Sequence, residues 1–282
     1  MKALLTGATG FLGRYVDRSL QARGIETILL GRDLLDRRYV NDVVGRIGAT
    51  HLVHLAWYVE HGQFWTSPLN ADWVAATAHL AEVFCKAGGR RIVGAGTCFE
   101  YIQTDQPAVE DVTPIAPRTP YGLAKDEARR RVAEICARHG AGFAWGRIFV
   151  PYGTGEGSRR LLPSLIAALK GEREAFGVNR EAKRDFIHAA DLGEAFAELT
   201  QADASGAFNV AAGEGVRVED LVREVAAQLG VDPGIILALP SARPGEPAAI
   251  IGCSDKLRAL GWSPKIDLPE GVRRSLANQS AP

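Results

Sequence analysis

The stretch GATGFLG, Gly7 to Gly13, constrains this chain more than any other. It follows a short apolar run, Ala3 to Thr6. It precedes Phe11 to Arg23, where Leu12, Tyr15, Val16 and Leu20 recur at helical spacing. Gly24 supplies the stop, and Ile25 to Leu30 reads as a second strand. A strand, glycine loop, helix and strand within about 30 residues is the setting that holds a dinucleotide pyrophosphate. Gly7 turns the chain off the strand, Gly10 removes the Cβ that would block the pyrophosphate, and Gly13 lets the helix lie close on the sheet. The helix amino terminus then offers N–H groups and partial positive charge. Glycines also mark plain tight turns; the βαβ pattern around these gives them their meaning.

Composition narrows the class further. A chain of 282 residues buries one sizeable core, or one and a half domains. Its zero net charge leaves no electrostatic footprint for nucleic acid or an anionic membrane. Arg129, Arg130 and Arg131 read as a solvated helix face. Cys85, Cys98, Cys136 and Cys253 lack CxxC or metal spacing and read as reduced thiols of a cytoplasmic protein. The histidines form no cluster, so no metal is expected. No apolar run reaches membrane-spanning length, and MKALLTGATG enters a strand at once, with no room for a signal peptide.

The chemistry-bearing stretch is PYGLAKDEARR, Pro120 to Arg130. Tyr121 and Lys125 are four apart at the start of a helix, so they are neighbours, Cβ to Cβ about 6 Å. An ammonium stabilises a nearby phenolate, so the Tyr121 pKa is expected below its ordinary value of about 10. Such a phenol passes protons near neutrality. An interfacial Tyr and a solvated Lys on an amphipathic helix would share this spacing.

With TPYGLAK downstream, the GxxGxxG loop resembles the extended short-chain dehydrogenase/reductase family, its branch of NAD-dependent nucleotide-sugar epimerases, dehydratases and reductases. The likeness runs through HLVHLA (51–56), GAGTCFEY (94–101), RIFVPYG (147–153), KRDFIHAADL (183–192), GAFNVAAGE (206–214) and RPGEP (243–247). It implies an α/β fold, a Rossmann-type doubly wound parallel sheet with a smaller, discontinuous C-terminal substrate domain. The dinucleotide-binding domain is expected at 1–150, with 184–212 returning to it, and the substrate domain at 151–183 and 213–282. The resemblance implies cofactor contacts from Gly7, Thr9, Gly10, Phe11, Leu12, Gly13, Leu55, Ala56, Tyr121 and Lys125. It implies a catalytic set of Thr97, Tyr121 and Lys125. Thr97 would orient a substrate carbonyl, Tyr121 would protonate its oxygen, and Lys125 would hold the nicotinamide ribose and keep the phenol acidic.

Strand two ends in LLGRD. Arg32 there matches a 2′-phosphate and favours NADP over NAD; alternatively Arg32 is a surface residue and Asp33 takes the ribose. After Thr97, family dehydratases usually carry an acidic pair; this chain has Cys98 and Phe99, with Glu100 one place later, which argues against dehydration.

For the substrate half the resemblance implies a nucleotide sugar whose diphosphate meets arginines: Arg159 or Arg160, Arg184 and Arg243. Tyr58, with Trp57, Phe64 and Trp65, either lines the sugar site or packs in the core. Two departures weaken the sugar assignment. Val150 stands where the family often has an asparagine, and Trp73 stands where another is common, with Asn70 one turn earlier as a substitute. The resemblance also implies a homodimer, with the helices near 71–86 and 121–138 pairing across its two-fold axis. The expected activity is NADPH-dependent reduction of a nucleotide-linked 4-keto-6-deoxysugar. The alternatives are a 4-epimerase with tightly bound NAD and a non-catalytic dinucleotide-binding regulator.

Overall fold

Alternate residues of a strand face opposite sides of its sheet, and here both sides are apolar. Ala3 and Leu5 enter one core while Leu4 enters another; Val53 and Val93 join the first, Leu52 and Ile92 the second. Strands buried on both faces belong to parallel sheets covered by helices. The computed structural model, which describes residues 1–31, 33–241 and 246–277, has that architecture.

The elements alternate: β1 (Lys2–Thr6), α1 (Phe11–Ala22), β2 (Glu26–Leu30), α2 (Arg37–Ile47), β3 (His51–His54), α3 (Leu69–Lys86) and β4 (Arg91–Thr97). A 3₁₀ turn at Cys98–Glu100 leads on towards α4 (Pro120–His139) and β5 (Gly142–Ile148). The chain then leaves the sheet through β6 (Val150–Tyr152), α5 (Leu161–Leu169), β7 (Lys183–Arg184) and β8 (Phe186–His188). It returns with α6 (Ala189–Gln201) and β9 (Gly206–Val210). It ends with β10 (Val216–Arg217), α7 (Val218–Leu229), α8 (Gly234–Leu237), β11 (Ala249–Ile250), α9 (Asp255–Arg258) and α10 (Leu268–Ala277).

The main sheet runs β2-β1-β3-β4-β5-β9, with every neighbouring pair parallel. After β1 the chain lays β2 on one side and β3 on the other, so the order reverses beside β1. The crevice at the carboxyl ends of the strands there is where such sheets bind ligands. α1 and α6 cover one face; α2, α3 and α4 cover the other. A smaller core gathers Leu165 and Ile166 of α5, Val222 and Val225 of α7, Ile236 and Val272. Beside it β7 pairs with β10 and β11, and β6 pairs with β8. α7 begins at Val218, because Val216 and Arg217 pair with β7. Arg184 stays in the small sheet, and the chain re-enters the main unit with α6.

Two glycine sets make room for bulk elsewhere. A Cβ on Gly94 would lie 2.2 Å from the Trp145 ring, and one on Gly96 would lie 2.2 Å from Trp145 Nε1. A Cβ on Gly13 would sit 2.0 Å from the Gly7 carbonyl oxygen, a backbone atom that cannot swing away. Gly13→Ala is therefore expected to push α1 off the turn and cost about 1–3 kcal/mol, read as a lower denaturant midpoint. An unchanged midpoint would show that α1 does not need this close approach.

Candidate active site

β1 delivers Gly7 at the crevice with a left-handed φ of 74°. A Cβ there would meet Ala56 N at 2.8 Å and Leu55 C at 3.0 Å, so only glycine lets the turn lie against the end of β3. Gly10 caps α1 without a side chain, so no cap side chain takes up the amino-terminal N–H groups of the helix. This cradle fits a pyrophosphate. Thr9 is exposed at its tip, Phe11 packs edge-on to Tyr15 at 6.0 Å, and Leu12 and Leu55 pack on the main core. Ala56 N donates to Thr6 Oγ1 at 3.3 Å. Thr6 in turn meets His54 Nδ1 at 2.8 Å, and His54 Nε2 meets Thr77 at 2.9 Å. Burial, then the Lys125 charge, holds the His54 pKa at about 3, so this staple is a neutral imidazole. Sequence reasoning missed it.

Thr97 ends β4, buried, with its hydroxyl accepting from Phe99 N at 3.4 Å. Tyr121 sits in the first turn of α4, which Thr119 caps and Pro120 opens. Its N–H donates to Trp65 O at 3.1 Å, and its hydroxyl shares a hydrogen bond with the Thr97 side chain. Lys125, one turn on, donates to Ala95 O at 2.9 Å and lies 3.9 Å over the Trp57 ring. The three residues expected from sequence are thus assembled at the carboxyl end of β4.

The electrostatics differ from expectation. Burial pushes the Tyr121 phenol above its ordinary value, the Glu100 charge pushes it the same way, and the Thr97 hydrogen bond and Arg160 oppose them. The expected fall does not occur, for two reasons. The phenol is walled by Phe64 at 4.8 Å and Trp65 at 5.7 Å. Burial also lowers Lys125 itself to about 7, against an opposing pull from Glu100, so the ammonium is only partly charged at neutrality.

Several partners were not legible in sequence. Glu100 is fully buried; it accepts from Thr97 N at 3.0 Å and Trp145 Nε1 at 2.9 Å, and pairs with Arg147 Nε at 2.7 Å. Cys98 is a buried thiol pushed up to about 12 by desolvation. Asn70 does not substitute for a site asparagine. Its amide accepts from Trp57 Nε1 at 2.9 Å and donates to Phe64 O at 2.7 Å, fastening the loop that carries the aromatic wall. Periodicity could have exposed Asn70, a polar residue on the buried face of α3.

On the substrate side, Tyr58 donates to Gln63 at 3.1 Å. Arg159 is largely exposed and ion-paired with Glu60. Arg160, half-buried, is the guanidinium whose charge reaches Tyr121; its Nε lies 3.6 Å from Glu156. Arg184 donates to Lys183 O and Pro247 O, each at 2.9 Å, and to Glu246 at 3.3 Å. These contacts make Arg184 a joint of the small sheet; a diphosphate would have to displace them. Arg32 and Arg243 lie outside the described residues.

The chain is similar to known proteins. UDP-glucose 4-epimerase of Streptomyces lividans is 26% identical over 93% of this chain and 91% of its own. dTDP-6-deoxy-L-talose 4-dehydrogenase (NAD(+)) of Aggregatibacter actinomycetemcomitans is 26% identical over 81% of this chain and 90% of its own. The structure of MoeE5 with UDP-glucuronic acid and NAD superposes with a TM-score of 0.85 at 25% identity, covering both chains completely. The family model for NAD-dependent epimerases and dehydratases matches residues 3–211, from the strand that carries the cradle to the end of the main sheet, and by that match the chain belongs to the NAD-dependent epimerase/dehydratase family.

Proposed function

We propose that this protein moves hydride at C4 of a nucleotide-linked hexose, with 4-epimerisation as the net reaction and NAD held in the glycine cradle. The observation that carries this reading is the hydrogen-bonded pair of Thr97 and Tyr121 hydroxyls beside Lys125, at the strand ends next to the cradle. The Streptomyces lividans relative, an epimerase alike over nearly the full length of both chains, supports the net reaction. It replaces reduction as the first choice, since relatives alike over nearly the full length of this chain are UDP-glucose 4-epimerases.

Bound NAD would supply the hydride acceptor and donor. The chain's own part is to hold and move the proton. Thr97 fixes the C4 oxygen, and Tyr121 takes the hydroxyl proton and gives it back. Lys125, on Ala95 O and Trp57, stands one helical turn from that hydroxyl. The ring wall of Phe64, Trp65 and Phe99 excludes water from the phenol. Arg160 replaces Arg159 as the diphosphate grip, because Arg159 is turned to Glu60.

A second reading, reduction of a 4-keto sugar, draws on one feature of the site: burial and Glu100 keep Tyr121 protonated, the form that donates to a carbonyl. The Aggregatibacter actinomycetemcomitans relative, a 4-dehydrogenase, is in keeping with it.

The purified protein is expected to release NAD on denaturation and to interconvert UDP-glucose and UDP-galactose without added cofactor. A stoichiometric demand for NADPH would replace this reading with the second. Tyr121→Phe is expected to lower turnover at least ~10²-fold while retaining dinucleotide binding by thermal shift. Arg160→Ala should raise KM for the nucleotide sugar about tenfold, the worth of a charged hydrogen bond, with Arg159→Ala nearly silent. The reverse ranking would return the grip to Arg159.

A further inference from the structure

Beneath Thr97 lies a buried ion pair, whose desolvation cost makes stability alone a weak reason for its presence. Glu100 and Arg147 are inaccessible to solvent, and Gly96 makes room for them: a Cβ there would lie 2.6 Å from Glu100 Oε1. Each atom of the pair is directed. Glu100 Oε1 takes the Thr97 and Trp145 N–H groups, and Oε2 takes Arg147 Nε. Arg147 Nη1 donates to Tyr101 OH at 2.8 Å, which donates to Asn209 Oδ1 at 2.9 Å. Asn209 is anchored to Ala108 O and Cys253 O. The chain of contacts runs from the second half of the molecule to the Thr97 backbone.

We propose that Glu100 and Arg147 form a positioning unit: the carboxylate fixes Thr97 in register with Tyr121, and the balance of the pair's two charges sets how readily Tyr121 and Lys125 exchange protons. Two further carboxylates face this network: Glu110, which accepts from Asn209 N and lies within reach of the Arg147 charge, and Asp185, whose charge reaches Cys98. His54 and Cys98 are neutral at pH 7, with pKa values of about 3 and about 12. Tyr101, pushed up to about 12, is neutral too, and Arg160 is the cation that reaches Tyr121 from the substrate side. Glu100 raises the proton affinity of both Tyr121 and Lys125; Arg147, a cation 2.7 Å from Glu100, would oppose that field.

The proposal rests on Thr97 and Tyr121 as the reacting hydroxyls, but its test needs no substrate. Lysine side-chain carbons of the full-length protein are labelled with ¹³C and titrated by NMR, with the Lys125 signal identified by its loss in Lys125→Met. Glu100→Gln is expected to lower the Lys125 midpoint by about one pH unit, and Arg147→Gln to raise it comparably. Glu100→Gln/Arg147→Gln, with neither charge, should return near the wild-type value. Opposite shifts are the signature of a field; a purely structural pair would give unmoved midpoints or shifts of one sign, and either overturns the proposal. If Arg147→Gln does not fold, Glu100→Gln against the double variant decides alone: a lowered midpoint restored in the double supports it, and an unmoved one overturns it. Failure of the nucleotide-sugar assays would leave this titration untouched.

Discussion

The close approach of α1 to the turn after β1 is the contact on which the rest of the site depends. Because Gly13 has no side chain, the helix can begin directly over the Gly7 carbonyl; because Gly7 has none, that turn can rest on the backbone of Leu55 and Ala56. One packing constraint thereby aims a helix amino terminus at the crevice and sets the end of β3 beside it. The Thr6–His54–Thr77 staple then holds that end in place. α1 also carries the far wall: Tyr15 donates to Thr154 O at 2.9 Å and Arg14 to Gly155 O at 3.4 Å. The strap from Gly153 to Arg160 is thus fastened to the cradle helix at one end. At the other, Arg159 meets Glu60 on the loop bearing Phe64 and Trp65.

Within that enclosure, burial outweighs pairwise charge. Lowering Lys125 from 10.5 to about 7 corresponds to roughly 5 kcal/mol against the ammonium. The lysine is therefore left poised rather than firmly charged. Burial acts on the phenol with the opposite sign, since there the neutral form is the protonated one. The spacing of Tyr121 and Lys125 correctly predicts that they share a turn of α4, yet it says nothing of the rings that desolvate both.

What was legible follows from range. The glycine loop, the helix periodicity of α1 and the four-residue spacing of Tyr121 and Lys125 are local, and they located the crevice and its central residues. Glu100 was visible only as a displaced acid, because Arg147 is 47 positions away and the two meet only when β4 pairs with β5. Arg159 and Arg160 are adjacent in sequence, so only the point where α5 starts decides which one turns towards Tyr121. Arg184 looks like a ligand arginine until β7 pairs with β11, when Pro247 and Glu246 take its guanidinium.

A proton, more than the fold, separates an epimerase from a reductase here. Reduction needs a phenol that gives its proton to a carbonyl oxygen; epimerisation needs the same phenol first to accept one from a hydroxyl. Burial and Glu100 favour the protonated phenol, which suits the giving half. The taking half requires nearby positive charge, and Lys125 and Arg160 are the groups placed to supply it. Glu100 acts on both sides of this balance, since the carboxylate that discourages a phenolate also keeps the ammonium on Lys125. Its net effect would depend on how far Arg147 neutralises it, so a residue with no path to substrate would bias which half of the chemistry the buried hydroxyl performs more easily.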